Sequence, residues 1–515
     1  MVKITKLIPV FLILLALGAR LLPGPRTIDD SYITFRYARN LLAGEGFVYN
    51  PGVPVQGTTT PLYTLLMTGL GGLAGGSTAD FPVIAWLFNA VADAATVILL
   101  WLLGRQVRHE LAGLATALVW AVAPYSVTFS IGGLETSLYT LLLTGLAYAY
   151  TSRRNLLTGL LGALALLTRP DALIFLGPLI LDRLIRAVRP GLLGLKTTPE
   201  RLTVAEVLAF AMPVAAWFGF ATLTFGSPLP HSVQAKLLAY RLEPYEALIR
   251  LIQHYATPFI EQSTLGTKIA VGLGLVLYPF LYILGARRVF AIERRLLAWM
   301  LFPGLYFITF AIPNPLIFRW YLTPPLPAYF FFILTGAGSL LKLSGDLGAA
   351  LRRSWVAALI ILLLPLAFTL RAWELHPDHG PDRPAPGMAW FKLELLYREA
   401  AEFVAPQMTA DTVLAAGDVG VLGYHTPARI LDTVGLNSEE SLQYYPLDDS
   451  YYVINYAIAP QLILDEQPDW VIILEVYGRE GLLKDETFQQ TYTLVKTLET
   501  DIYDSRGMLI FQRVH

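Results

Sequence analysis

The sequence predicts a mainly α-helical, polytopic membrane bundle followed by a small α/β domain, on three observations. The chain has 515 residues, of which 55% are hydrophobic, and its mean hydropathy is +0.53, more apolar than soluble globular proteins. Apolar stretches able to span a bilayer recur at residues 7–22, 81–104, 111–130, 134–151, 156–167, 172–185, 204–225, 267–286, 296–312, 321–341 and 355–370, giving about eleven spans. After residue 370 the apolar runs shorten, as expected of a water-facing domain.

The first segment is flanked by Lys3 and Lys6, and Gly18-Ala19-Arg20-Leu21-Leu22-Pro23 offers no small-x-small cleavage site. It reads as an uncleaved anchor that delivers Ile28-Asp29-Asp30-Ser31-Tyr32 to the far face. Residues 61–75 are apolar but short and glycine-rich, which favours a segment lying in the interface. With that segment not crossing, one side collects the basic clusters: Arg105/Arg108, Arg153/Arg154, Arg183/Arg186/Arg189/Lys196/Arg201, Arg287/Arg288/Arg294/Arg295 and Lys342/Arg352/Arg353. The positive-inside rule then places the N-terminus in the cytoplasm and the C-terminal domain outside a bacterial-type plasma membrane. Residues 156–167 and 172–185, separated by Thr168-Arg169-Pro170-Asp171, read as a tight helical hairpin.

The expected organisation is a transmembrane domain over 1–371 with an outer loop at 23–80, a linker over 372–388, and an α/β domain over 389–515. In the last, 412–416, 470–474 and 509–513 read as strands, and 389–404 and 486–498 as helices. Gly417-Asp418-Val419-Gly420 directly follows a strand, a place where α/β folds bind ligands, although a structural turn is the plainer reading.

Net charge is −1 and cysteine is absent. Bulk nucleic-acid binding, disulfides, zinc-thiolate sites and thiol catalysis are thereby excluded. Attention falls on Asp29 and Asp30, adjacent carboxylates at a membrane exit. Held together, they share a proton or attract a cation, which suits a general base or a metal site; the plainer alternative is capping of a short helix. Arg169, Lys236 and Arg319 sit at outer helix ends, where a cation either binds phosphate or snorkels to the interface. Arg36 and Arg39 read as a solvated face or headgroup contact. Asn89 and Asp93, four apart within a span, read as structural hydrogen-bonding groups.

The run Asp29-Asp30-Ser31-Tyr32-Ile33-Thr34-Phe35-Arg36-Tyr37-Ala38-Arg39-Asn40-Leu41, followed by Gly44-Glu45-Gly46-Phe47-Val48-Tyr49-Asn50-Pro51-Gly52, resembles the first outer loop of bacterial membrane glycosyltransferases of the GT-C fold. The terminal β-1,2-arabinofuranosyltransferases of mycobacterial cell-wall synthesis are the most similar group. Gly133-Leu134-Glu135-Thr136, Thr168-Arg169-Pro170-Asp171, Gly226-Ser227-Pro228-Leu229-Pro230, Phe318-Arg319-Trp320-Tyr321-Leu322-Thr323-Pro324 and Asp432-Thr433-Val434-Gly435-Leu436-Asn437 are similar to patterns at corresponding places.

The resemblance implies an inverting enzyme that moves a sugar, an arabinofuranose-like pentose or a hexose, from a polyprenyl-phosphate donor to a glycan, lipid or protein acceptor at the outer face. It implies Asp29 as the base, with Asp30 orienting it, binding the acceptor or holding a divalent cation. There is no Asp-x-Asp motif in the loop, so no metal site is assigned. Arg169, Lys236 and Arg319 are expected on the donor phosphate, and Glu135, His231 and Tyr321 on sugar or acceptor. Two other classes remain open at this point: a lipid-linked sugar transporter or flippase, and a membrane-tethered glycan-binding protein.

Overall fold

The computed structural model describes residues 6–189, 200–375 and 380–514; Lys3, Lys196 and part of the expected linker lie outside them. Every expected apolar stretch is helical: Ile8–Leu21, Phe81–Gln106, Glu110–Val122 with Pro124–Ile131, Thr136–Thr151, Asn155–Thr168, Leu173–Val188, Val204–Phe225, Thr267–Ile292, Leu297–Ala311, Leu326–Leu340 and Trp355–Arg371. Phe81–Gln106, Val204–Phe225 and Thr267–Ile292 are each long and apolar enough to cross a membrane. Among the described residues, two bent pairs raise the number to 5 if each is one span, Glu110–Val122 with Pro124–Ile131 at 44° and Leu347–Arg353 with Trp355–Arg371 at 114°. The first bend falls at Pro124, which has no N–H to continue the ladder. Ile8–Leu21 and Asn155–Thr168 have 14 residues each, about 21 Å of helix. Pro61–Leu73, with 13 residues, is shorter still and packs beneath the helix Asp29–Ala43.

Phe81–Gln106 is the axis of the bundle, in contact with Ile8–Leu21, Glu110–Val122 and Thr136–Thr151. Its polar residues are structural, as expected. Asn89 donates to the Ser130 and Leu134 carbonyls at 3.1 and 2.9 Å. Asp93 pairs with the fully buried Arg20 at 3.0 Å and accepts from Trp120 Nε1 and Ser137 Oγ at 3.2 and 2.8 Å. A buried charge that loses its partner costs about 3–5 kcal/mol. Arg20→Met should therefore lower the unfolding temperature sharply in detergent, and Arg20→Met with Asp93→Leu should recover much of the loss; a single variant as stable as wild type would refute the pairing.

The C-terminal domain holds a five-stranded sheet in the order β4-β3-β5-β7-β6. Val413–Ala416 (β3) runs parallel to Arg429–Asp432 (β4) and to Trp470–Leu474 (β5), while Met508–Arg513 (β7) is antiparallel to β5 and to Tyr492–Leu498 (β6). The helix expected over 486–498 is a correction: it stops at Thr491, and Tyr492–Leu498 is an edge strand. Its aromatic and β-branched residues favour the pleated conformation once β7 offers a partner. The described part of the expected linker is likewise more ordered than its composition suggests. Trp373–Leu375 (β1) pairs antiparallel with Pro384–Pro386 (β2), and the buried Arg26 donates to the carbonyls of Pro381, Arg383 and Ala389.

This domain is clasped to the first long loop and its helix Asp29–Ala43. Arg36, expected on a solvated face, is instead buried, because the loop meets a second protein surface rather than water. Its guanidinium lies over the Tyr49 ring and donates to the carbonyls of Tyr49, Gly423 and Ala428 at 2.8, 2.5 and 2.9 Å. Asn50 extends the β4 edge, exchanging hydrogen bonds with the backbone of Ile430. Arg39 reaches the Tyr424 carbonyl at 2.7 Å.

Candidate active site

Ile28 is extended and opens the helix Asp29–Ala43. Successive side chains on a helix project about 100° apart, so the two carboxylates at its start face different neighbours. Neither caps its own helix. Asp29 is buried and accepts from Gly420 N–H at 2.9 Å and Val421 N–H at 2.7 Å. A Cβ on Gly420 would lie 1.8 Å from the Asp29 carbonyl oxygen, so glycine is what lets the two backbones approach. Burial and the nearby Asp418 push the Asp29 carboxyl well above the usual range, with the Val421 hydrogen bond opposing them.

Asp30 points into a small cavity of about 60 Å³, lined also by Thr58, Thr60, Glu135, Arg169, Lys236, Trp320 and Tyr321. The structure thus brings together five of the eight residues singled out from sequence, from five separate segments. Burial raises the Asp30 carboxyl and Lys236 opposes that rise. Lys236 has its ammonium 5.2 Å from the centre of the Phe318 ring. Arg169 is bonded to Glu135 at 2.8 Å and to Asp171 at 2.9 Å, and stacks over Tyr321 at 4.4 Å. Its charge is already matched by two carboxylates. Arg169 and Glu135, expected on phosphate and sugar, therefore form a rigid pocket wall, and Lys236 is the cation left facing Asp30.

His231 turns aside, its Nδ1 3.9 Å from Glu439 and its backbone N–H bonded to Gln56. Arg319 faces a larger cavity of about 830 Å³ beneath the C-terminal domain, which shares Trp320 with the Asp30 pocket. Aromatic residues, among them Tyr240, Phe318, Trp390, Tyr456 and Tyr477, share its walls with charged ones.

Two acids of this cavity were not singled out from sequence. Asp418 accepts from the Tyr397 and Tyr477 hydroxyls at 2.7 and 3.2 Å. Burial lifts its carboxyl, against the Tyr397 hydrogen bond. Glu394 is pushed up to about 8 by burial, with Asp418 and Asp30 adding to the rise, so it holds a proton at neutral pH. The signal for Asp418 was the Gly417-Asp418-Val419-Gly420 turn after β3. Glu394 carried none, being one acid on an ordinary amphipathic helix. Among the described residues, no three acidic or imidazole groups are placed to hold a metal ion, so a cation beside Asp29 and Asp30 finds no third ligand of that kind.

Comparison with known proteins gives the fold and a partial sequence relationship. Residues 390–511 match a family described as a domain of unknown function, DUF8728. A stretch of 159 residues is 33% identical to the terminal β-(1→2)-arabinofuranosyltransferase of Mycobacterium tuberculosis (strain ATCC 25618 / H37Rv), covering 29% of this chain and 23% of that protein. The crystal structure of ArnT from Cupriavidus metallidurans bound to undecaprenyl phosphate superposes on 100% of this chain and 99% of its own, with a TM-score of 0.57 and 12% identity. Its apo state gives 0.59 over 100% and 98%, also at 12% identity. An Archaeoglobus fulgidus oligosaccharyltransferase covers 98% of this chain and 73% of its own, with a TM-score of 0.50 and 13% identity. The chain has the GT-C fold, as the first-loop motif implied.

Proposed function

We propose that the protein is a membrane glycosyltransferase that moves a sugar from a polyprenyl-phosphate donor to an acceptor hydroxyl with inversion. The observation that carries this reading is the Asp30 pocket, where one carboxylate and one uncommitted ammonium face each other beside a large aromatic cavity. The acceptor oxygen attacks the anomeric carbon while Asp30 takes its proton, and the bond from that carbon to the phosphate oxygen breaks, leaving polyprenyl phosphate. Lys236 stabilises the charge that develops on the departing phosphate. This assignment moves the base from Asp29 to Asp30, because the Asp29 oxygens are occupied by the Gly420 and Val421 amides. The aromatic cavity suits sugar rings, whose apolar faces stack on aromatic side chains. The 33% identity to an arabinofuranosyltransferase favours a pentose, and the acceptor is a cell-envelope glycan, lipid or protein at the outer face.

The test is transfer by purified protein in liposomes supplied with a panel of polyprenyl-phosphate sugars. Stoichiometric release of polyprenyl phosphate from one donor supports the reading. Movement of intact donor across the bilayer, with no release, would replace it with a transporter.

The pH profile is a second check. A base works only when deprotonated, so kcat/KM should rise with pH, with a midpoint above the ordinary carboxylate range. Lys236 holds the Asp30 carboxyl down, so Lys236→Met should move that midpoint further up. A downward shift would refute the Asp30–Lys236 pairing.

A further inference from the structure

A second cavity, of about 630 Å³, adjoins the aromatic one and shares Arg250, Arg319 and Met388 with it. Arg371 also lines it. Against these three guanidinium groups stand Glu374 on the wall and Glu246, which accepts from Arg250 at 2.6 Å. The balance is positive, and most of the charge lies on side chains exposed to the cavity.

The wall also contains His254, which is 4% exposed. Neither imidazole nitrogen meets full hydrogen-bond geometry with a partner among the described residues, although one lies close enough to the Leu322 carbonyl for a weak hydrogen bond. Burial pushes His254 down to about 4, so at neutral pH the ring is uncharged, with one nitrogen toward that carbonyl and the other left without a partner. Gln262 brings a second unpartnered buried atom, Oε1, to the same wall. A buried polar group without a partner is costly, and an oxyanion carrying a water or hydroxyl group would satisfy both. Phosphate matches the guanidinium forks in shape and charge.

The surroundings favour a lipid as the source of that phosphate. Arg371 ends the apolar helix Trp355–Arg371, whose Leu363, Leu364 and Leu370 are exposed. A phosphate held at Arg371 can therefore carry an alkyl chain that runs down this surface.

We propose that this chamber is a second phosphate site, distinct from the Asp30 pocket, that holds the headgroup of a lipid phosphate beside the reaction cavity. It rests on the proposed function only in naming polyprenyl phosphate as the occupant, the donor's lipid before or after transfer.

The experiment counts bound polyprenyl monophosphate on the full chain in neutral-lipid nanodiscs by native mass spectrometry. Inorganic phosphate and uncharged polyprenol serve as the other probes. Wild type should hold two molecules of polyprenyl monophosphate, and Arg371→Gln and Lys236→Gln one each, with binding at the lost site weakened by about ten-fold or more. His254→Phe keeps the ring volume, so it should repeat the Arg371→Gln result even if that variant misfolds. Inorganic phosphate bound with the same Arg371 dependence, and no gain from the prenyl chain, would keep the anion site and make free phosphate its ligand. Wild-type stoichiometry in both Arg371→Gln and His254→Phe, or equal binding of polyprenol, would overturn it. None of these readings uses transfer, so failure of the glycosyltransferase reading would leave the Arg371 result standing.

Discussion

Asp30→Asn is expected to slow sugar transfer by about 10²–10⁴-fold, the usual worth of a positioned general base, while donor binding stays close to wild type. Asparagine keeps the shape of the side chain and removes its ability to take a proton. Donor binding is preserved because Lys236 and the Arg169–Glu135 wall do not depend on that proton. Asp29→Asn separates the two aspartates. Its NH₂ group would replace one of the two accepting oxygens and set a donor against either the Gly420 or the Val421 N–H, so this variant should lose thermal stability and become protease-sensitive between the membrane bundle and the C-terminal domain. If instead Asp29→Asn stays as stable as wild type and transfer is abolished, the base is Asp29 after all.

The largest structural effect is expected from Arg36→Met. Methionine retains much of the buried volume but leaves the Ala428 carbonyl without its side-chain donor, while the Tyr49 carbonyl keeps Asn40 and the Gly423 carbonyl keeps only a long bond from Arg39. A buried unsatisfied group costs about 1–3 kcal/mol, so the clasp between the first long loop and the C-terminal domain should open at temperatures where the membrane bundle is still folded. Limited proteolysis and unfolding scans in detergent would show a separate early transition. A single transition at the wild-type temperature would mean that the clasp is held elsewhere.

How far the sequence carries differs by feature. The apolar segments were legible because a 3.6-residue bundle in lipid leaves continuous apolar runs, and each became a helix. Asp30, Lys236, Arg169, Glu135 and Tyr321 were legible as residues out of place in an apolar chain, and they do converge. What each does was not legible. Whether Arg169 meets phosphate or carboxylate depends on how the hairpin at Pro170 approaches Glu135, a long-range packing outcome with no local signature. The same holds for Arg36, whose helix looks amphipathic and exposed until another domain covers it. Tyr492–Leu498 became a strand only because β7 lies alongside, as edge-strand conformation depends on the neighbour more than on intrinsic preference.

The clasp also sets an order of events during synthesis. The partners of Arg36 and Asp29 lie 387 and 392 residues further along the chain, so the first loop leaves the ribosome long before anything can complete it. Contacts of such separation form late, after the intervening chain has been ordered. Asp30 therefore gains its fixed position only when the helix it starts has been seated against the last domain to emerge. A nascent or truncated chain would display both acids without the geometry to use them, so any chemistry at Asp30 would have to wait for the finished protein.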